Sequence, residues 1–125
     1  MEQFLDKKEI RKRMLAKRQE LSNEEGGEKS QQICARLKKL DIFCRSKNIC
    51  LYMPVRNEVD VTLLFEIVWE SKKQLWLPRV DKNTGQMRFF SYGKDTPLMK
   101  GMYNILEPDG TRCLVPDETT LVVMP

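Results

Sequence analysis

The sequence predicts a small α/β domain: a mostly parallel sheet with helices on both faces, in three layers. One observation is that strand-length apolar segments flank a segment of helical periodicity between residues 48 and 77, which is the pattern of a βαβ unit. Another is that the apolar run 48–53 stops at Pro54, before a polar loop that carries Glu58. Ligands of open α/β sheets bind outside the carboxyl ends of the strands. This loop is therefore a candidate binding site.

The chain begins with a predicted helix over residues 6–21. Ile10, Met14 and Leu21 recur near the 3.6-residue period and form a narrow apolar stripe. At about 100° per residue, a second sector beside that stripe collects three cations. These are Lys7, Arg11 and Arg18. We expect them to flank a cleft between this helix and the body of the domain.

A second helix is predicted to start at Ser22, because Ser22-x-x-Glu25 has the form of a capping box. Gly26 and Gly27 in the first turn weaken this prediction, since each glycine makes helix formation less favourable by roughly 1 kcal/mol relative to alanine. The helical pattern is strongest over residues 28–40.

The next three elements are a strand over 48–53, a helix over 61–70 with Asp60 as its N-cap, and a strand over 74–77. Their order predicts two parallel strands joined by a right-handed crossover. Asn83-Thr-Gly85 marks a turn, so a strand over 86–92 is expected to pair with its neighbour across that turn. Residues 94–119 are rich in Gly, Pro and Asp and are predicted to be irregular. A last strand is expected over 120–124.

That last strand has a continuous apolar run over 121–124, which is typical of a strand buried on both faces. Such a strand needs a following crossover helix. We therefore expect residues 1–125 to be a single α/β domain that is incomplete and truncated after a buried strand.

Composition narrows the class of protein. A chain of 125 residues, with 41% hydrophobic and 32% charged residues, suits one soluble domain with one core. The apolar runs are too short to span a bilayer, and the N-terminus lacks the apolar region of a signal peptide. We expect a cytoplasmic protein that does not bind membranes.

The chain contains no histidine, which excludes Ser-His and Cys-His catalysis and histidine-ligated metals within these residues. The four cysteines lack C-x-x-C spacing, so we expect neither a disulfide framework nor a zinc site. They are Cys34, Cys44, Cys50 and Cys113. No residue of the sequence can be named as a metal ligand.

Seven cations crowd the first predicted helix, although the net charge is only +4. They are Lys7, Lys8, Arg11, Lys12, Arg13, Lys17 and Arg18. Such a cluster could meet the phosphates of a nucleotide, of RNA or of a membrane surface, or could be a solvated helix face. An RNA- or phosphate-binding module stays open as an alternative, although the aromatics that stack single-stranded bases are absent between the cations.

Six short motifs follow one another along the chain in a specific order. They are Lys7-x-x-x-Arg11, Leu51-Tyr-Met-Pro-x-x-x-Glu58-Val-Asp60, Lys73-Gln-Leu-Trp-Leu-Pro-Arg79, Met87-x-Phe89, Gly101-Met-Tyr103-Asn-Ile105-x-Glu107-Pro108 and Leu121-Val-Val-Met-Pro125. In this order and spacing the sequence resembles the N-terminal two-thirds of the 5-formyltetrahydrofolate cyclo-ligase (methenyltetrahydrofolate synthetase) family.

The resemblance implies an ATP-dependent ligase that uses Mg²⁺ and converts 5-formyltetrahydrofolate to 5,10-methenyltetrahydrofolate. In that chemistry the formyl oxygen attacks the γ-phosphoryl of ATP, and N10 of the folate then closes the ring as phosphate leaves. Catalysis of this kind depends on positioning and charge stabilisation more than on a protein nucleophile. ATP and the reduced folate are the implied partners of a monomer, without nucleic acid.

The resemblance also implies site residues. The ATP-contacting window is Lys7, Lys8, Glu9, Ile10 and Arg11, and the folate contacts are Tyr52, Met53, Glu58 and Tyr103. From the residues alone, Glu58 could equally be a helix N-terminal carboxylate, and Tyr52 and Met53 could be core. For Glu107-Pro108 no role is predicted, and Arg79 could reach a carboxylate or phosphate or form an ordinary salt bridge.

Family members continue into a Gly-rich segment that closes over the nucleotide phosphates, and this segment is absent from the sequence. The catalytic residues are expected there, so none is named here. An inactive fragment that still binds folate is a further alternative.

Overall fold

The computed structural model describes residues 6–101, 105–110 and 112–125. The strands are β1 (Asn48–Cys50), β2 (Gln74–Val80), β3 (Met87–Ser91), β4 (Leu98–Lys100), β5 (Leu106–Pro108) and β6 (Thr120–Val122). Four of them form a sheet in the order β3-β2-β1-β6, and β4 pairs with β5 in a separate two-stranded hairpin. The helices are α1 (Lys7–Gln19), α2 (Asn23–Leu37), α3 (Asp41–Arg45) and α4 (Phe65–Glu70), the last preceded by a 3-10 turn at Val61–Leu64.

The sheet confirms the predicted α/β class with mostly parallel strands. β1 is parallel to β2, with Cys50 opposite Trp76, and parallel to β6 on its other side. β2 and β3 are antiparallel across the predicted turn, with Leu77 opposite Phe90. Strand β1 is therefore central, and the loop that follows it leaves from the middle of the sheet.

The helix caps follow the sequence. Ser22 Oγ accepts the Glu25 N–H at 3.1 Å and closes the predicted capping box of α2. Asp60 Oδ1 accepts the Thr62 N–H at 3.1 Å, so Asp60 caps the 3-10 turn as predicted. Helix α2 ends at Leu37 rather than at Leu40, because residues 38–40 turn toward the short helix α3, which the sequence did not predict.

The two faces of the sheet are covered differently. Ile49, Leu51, Leu75 and Leu77 pack with residues of α2, α3 and α4 in the main core cluster. On the opposite face Cys50 and Trp76 pack against Leu114 and Phe89. Within the described residues, the helices that contribute to the main core therefore lie on one face, and a loop segment covers the other.

Three elements differ from the prediction. The strand predicted over 48–53 pairs as a ladder only to Cys50, although Leu51 N still donates to Trp76 O at 3.0 Å. The segment 94–119 is not irregular throughout, because it contains the β4–β5 hairpin. β6 lies at the edge of the sheet with Val122 42% exposed, so the described structure does not bury it on both faces.

Helix α1 forms as predicted but contributes no buried residue. Ile10 and Met14 of the predicted apolar stripe are 45% and 51% exposed. The described chain therefore does not cover this stripe. Across the ranges that the structure describes, no helix combines the length and apolar character that crossing a membrane requires.

Candidate functional site

The loop that leaves β1 is held in a tight turn that fixes Glu58. Arg56 and Asn57 have positive φ angles of 51° and 61°, a left-handed conformation that is uncommon for residues other than glycine. Beyond this turn, Glu58 N donates to Val55 O at 3.0 Å, and Glu58 Oε1 accepts the Val55 N–H at 2.9 Å. The carboxylate is thus half-buried and fixed at the carboxyl end of the central strand.

Glu58 lines a cavity of about 310 Å³ between this loop and the start of α2. Its polar lining includes Ser22, Ser30, Asn57 and Asp60. Ser30 Oγ accepts the Asp60 N–H at 2.9 Å, and Cys34 Sγ donates to Asp60 O at 3.5 Å. These bonds join α2 to the loop, so the cavity has two fixed walls.

Tyr52 supports the loop from beneath. It is 8% exposed, and its hydroxyl donates to Val59 O at 3.0 Å. Burial, with the nearby negative charge of Glu58 as a smaller cause, raises the pKa of Tyr52 to about 12. The hydroxyl therefore stays a neutral donor at physiological pH. Met53 is half-buried and packs against the core, and contact of either residue with substrate stays a prediction.

Arg18 is the cation of α1 that reaches this loop. Its carbonyl oxygen accepts a 3.4 Å hydrogen bond from Asn57 Nδ2. Its Nε is buried and finds no hydrogen-bond partner within the described residues. The charge of Arg18 acts to lower the pKa of Tyr52, against the larger effect of burial, so the guanidinium lies within electrostatic reach of the site. The angular position of Arg18 beside the stripe was the sequence signal for this placement.

The predicted ATP window is not joined to the loop by the described contacts. Lys7, Lys8, Ile10 and Arg11 are exposed, and Glu9 Oε1 pairs with Arg13 Nε at 3.3 Å on the helix surface. None of the hydrogen bonds or ion pairs among the described residues connects residues 7–11 to residues 54–60. Their role in ATP binding stays a prediction.

Tyr103, the remaining predicted folate contact, lies outside the described residues. For metals, the described part of the chain holds no group of three or more cysteine, aspartate or glutamate side chains arranged around a common point. The described residues therefore offer no site that would hold Mg²⁺ through three or more protein side chains.

Two residues without an assigned role prove to be structural neighbours at the end of β2. Glu107 is 8% exposed, and its Oε2 accepts the Val80 N–H at 2.8 Å. Arg79 donates from Nη1 to Gly110 O at 2.9 Å, and its guanidinium stacks 3.4 Å from the centre of the Phe90 ring. Neither side chain forms a salt bridge with the residues that the structure describes, so the ordinary ion pair considered for Arg79 is not found among them.

Comparison with known proteins gives a consistent result. The model of the 5-formyltetrahydrofolate cyclo-ligase family matches residues 4–125. A probable 5-formyltetrahydrofolate cyclo-ligase of Schizosaccharomyces pombe is 28% identical over 97 residues, which cover 74% of this chain and 48% of the relative. A 5-formyltetrahydrofolate cyclo-ligase of Haemophilus influenzae is 31% identical over 65 residues, 51% of this chain and 35% of the relative.

Solved structures agree with the fold. The 5,10-methenyltetrahydrofolate synthetase of Aquifex aeolicus superposes with a TM-score of 0.79 at 34% identity, over 92% of this chain and 58% of that one. The corresponding synthetase of Mycoplasma pneumoniae gives a TM-score of 0.60 at 31% identity, over 70% and 54%. The chain spans about half the length of the relatives it matches.

The family match extends over nearly the whole chain, and the fold agrees with it. The chain belongs to the 5-formyltetrahydrofolate cyclo-ligase family.

Proposed function

We propose that this chain forms the folate-binding part, and a portion of the ATP site, of an enzyme that converts 5-formyltetrahydrofolate to 5,10-methenyltetrahydrofolate. The observation that carries the proposal is the placement of Glu58. Its carboxylate is fixed at the carboxyl end of the central parallel strand and lines an open cavity. This is where α/β sheets bind small molecules.

Glu58 retains the capacity to bind a pterin. A carboxylate oxygen has two acceptor positions, and the Val55 N–H occupies one on Oε1. Oε2 and the second position of Oε1 can accept the amino group and the adjacent ring N–H of a reduced pterin as two parallel bonds. Charge-assisted bonds of this kind are stronger than neutral ones.

ATP is the second substrate of the proposed reaction, and α1 supplies cations for it. Lys7 and Arg11 are exposed and can approach phosphate oxygens without giving up a partner, because neither forms a salt bridge within the described residues. Mg²⁺ binds ATP mainly through phosphate oxygens and water.

The reaction needs no protein nucleophile. The formyl oxygen of the folate attacks the γ-phosphoryl of ATP, and ADP leaves. N10 then attacks the formyl carbon and loses its proton, and the ring closes as phosphate leaves. Within this scheme Glu58 orients the pterin, and the cations of α1 neutralise phosphate charge.

Substitution of Glu58 by Gln tests the proposal. Gln keeps an oxygen that can accept the Val55 N–H, so the loop is retained while the charge and one acceptor are lost. We expect binding of 5-formyltetrahydrofolate, measured by isothermal titration, to weaken by about tenfold or more, the effect of one lost charge-assisted bond.

The matched control is Glu28→Gln, which removes the same charge from an exposed position on α2 outside the cavity. It is expected to leave the affinity unchanged. Equal affinity of the unmodified chain and Glu58→Gln would contradict the assignment of Glu58.

A further inference from the structure

A cavity of about 520 Å³ lies at the amino edge of the sheet, opposite the edge that carries Glu58. It forms where β2 starts and the antiparallel strand β3 ends, and there Tyr92 N donates to Leu75 O at 2.9 Å. The end of α4 and Arg112 complete its lining. The aromatic cavity, as we call it, shares no lining residue with the cavity that Glu58 lines. Its volume lies in the range of small-molecule sites.

Two aromatic side chains line the aromatic cavity in a fixed arrangement. The ring centroids of Trp69 and Tyr92 are 5.6 Å apart, and Trp69 Nε1 donates to Tyr92 O at 3.0 Å. The buried ring of Phe65 packs against Tyr92, also at 5.6 Å. Both lining rings are half-buried, so the core supports each ring while part of its surface stays open. Because the rings are already ordered, a flat ligand that packs on them costs little rotamer entropy.

The aromatic cavity is positively charged. Its charged lining residues are Lys72, Lys73 and Arg112, and no acid is among the described residues that line it. Lys73 is engaged elsewhere, since its Nζ donates to Cys44 O at 2.8 Å and to Ser46 O at 2.6 Å. Lys72 and Arg112 are exposed, and neither forms a salt bridge with the residues that the structure describes. Unpaired charges of one sign at a concave surface attract anions.

Arg112 is held beside the end of β3. Its carbonyl oxygen accepts the Ser91 N–H at 3.0 Å. Its guanidinium lies 5.6 Å from the centre of the Trp76 ring, within the range of a cation–π contact. A guanidinium binds a phosphate through two parallel hydrogen bonds. The hydroxyl groups of Tyr92 and Thr96, in the same lining, are further hydrogen-bond donors.

We propose that the aromatic cavity binds a nucleoside monophosphate, with its base against Trp69 and Tyr92 and its phosphate at Lys72 and Arg112. A flat ring and a phosphate on one ligand match the aromatic and cationic groups of one cavity. Stacking on aromatic side chains tolerates every base, so we expect little preference among bases. The cavity contains none of the residues assigned to folate or ATP, so this inference does not rest on the proposed function.

Isothermal titration of the chain with adenosine monophosphate tests the inference. We expect one ligand per chain, with a dissociation constant below about 1 mM. Adenosine lacks the phosphate and ribose 5-phosphate lacks the base, so each should bind at least about tenfold more weakly.

The double variant Lys72→Gln with Arg112→Gln should weaken binding of adenosine monophosphate by about tenfold or more, because charge-assisted bonds are lost. Both side chains are exposed, so we expect the variant to fold. The matched control is Lys29→Gln with Arg36→Gln, which removes two exposed cations of α2 outside the cavity. It should leave the affinity unchanged.

Two further variants separate this site from the proposed active site. Lys7→Ala with Arg11→Ala, and Glu58→Gln, should each leave the affinity for adenosine monophosphate unchanged. The inference is overturned if adenosine monophosphate does not bind, or if ribose 5-phosphate or adenosine binds as tightly. It is also overturned if binding survives in the Lys72 and Arg112 variant and is lost in the Lys7 and Arg11 variant, because the nucleotide then lies on α1.

Discussion

Tyr52 shows how a buried side chain positions the loop that carries Glu58. Its ring lies in the main core, and its hydroxyl holds the carbonyl of Val59, the residue next to Glu58. A change at Tyr52 is therefore expected to act on the candidate site through the loop rather than through contact with substrate.

The raised pKa of Tyr52 makes the stability of the chain sensitive to alkaline pH. An unfolded tyrosine ionises near its ordinary pKa of 10.0, whereas the folded state retains the proton to about 12. Between these values the folded state binds more protons, so the free energy of unfolding falls as pH rises. Cys50, whose pKa burial raises from 9.0 to about 12, acts in the same direction from a lower starting pH.

We expect urea unfolding to show constant stability from pH 7 to 8 and a steep loss from pH 10 to 12. Tyr52→Phe should be less stable at pH 7 by about 1 kcal/mol, the usual contribution of one hydrogen bond. It should lose less of its stability between pH 10 and 12 than the unmodified chain. Parallel curves for the two proteins in that range would contradict the assignment.

For single residues, the sequence predicted those positions that depend only on neighbouring residues in the chain. The placement of Glu58 after a strand and the cap at Asp60 followed from neighbouring residues, and the side of α1 that carries Arg18 followed from helical geometry. The bond from Tyr52 to Val59 could not be predicted, because it requires the left-handed turn at Arg56 and Asn57 that folds the loop back.

Among the elements, the βαβ unit was predictable because each of its segments has a clear period of its own. The β4–β5 hairpin was not, since strands of three residues are too short to show alternation. Its position comes from a contact between distant residues instead. Glu107 of β5 accepts the Val80 N–H at the end of β2 and fixes the hairpin to the main sheet.

Gly101 is the residue that makes this docking possible. A Cβ built on Gly101 would overlap the Glu107 side chain from the carboxylate to Cγ, and Glu107 is buried with little room to move. Gly101→Ala should therefore destabilise the chain by about 1–3 kcal/mol in urea unfolding, the usual cost of overpacking.

Gly27→Ala is the matched control, because a Cβ there meets nothing within 4 Å. Gly27 lies inside α2, so this change should stabilise by about 0.5–1 kcal/mol. A neutral or stabilising effect of Gly101→Ala would show that the hairpin is not fixed through Glu107.

At the scale of the whole molecule, charged side chains gather along the carboxyl edge of the sheet and on helix α1. The cavity that Glu58 lines and another cavity, lined by Arg79, Lys82, Arg88 and Lys100, lie along the carboxyl edge of the sheet. Helix α1 carries seven exposed or half-exposed cations and buries none of its residues. The net charge of +4 is thus concentrated where a phosphate-bearing ligand can approach from solvent. Both ATP and RNA suit such a surface, but they differ in how many cations they use.

Salt dependence and paired variants distinguish ATP from RNA on α1. Single-stranded RNA that contacts all seven cations should show a slope of log affinity against log salt of about −5, at −0.7 for each neutralised phosphate. ATP should show a much smaller slope.

Lys7→Ala with Arg11→Ala should weaken ATP binding by about tenfold in isothermal titration. Lys12→Ala with Lys17→Ala, which also removes two exposed cations from the same helix, should leave it unchanged. Equal losses in the two pairs, together with tight and steeply salt-dependent RNA binding, would contradict the nucleotide role and identify α1 as an RNA-binding helix.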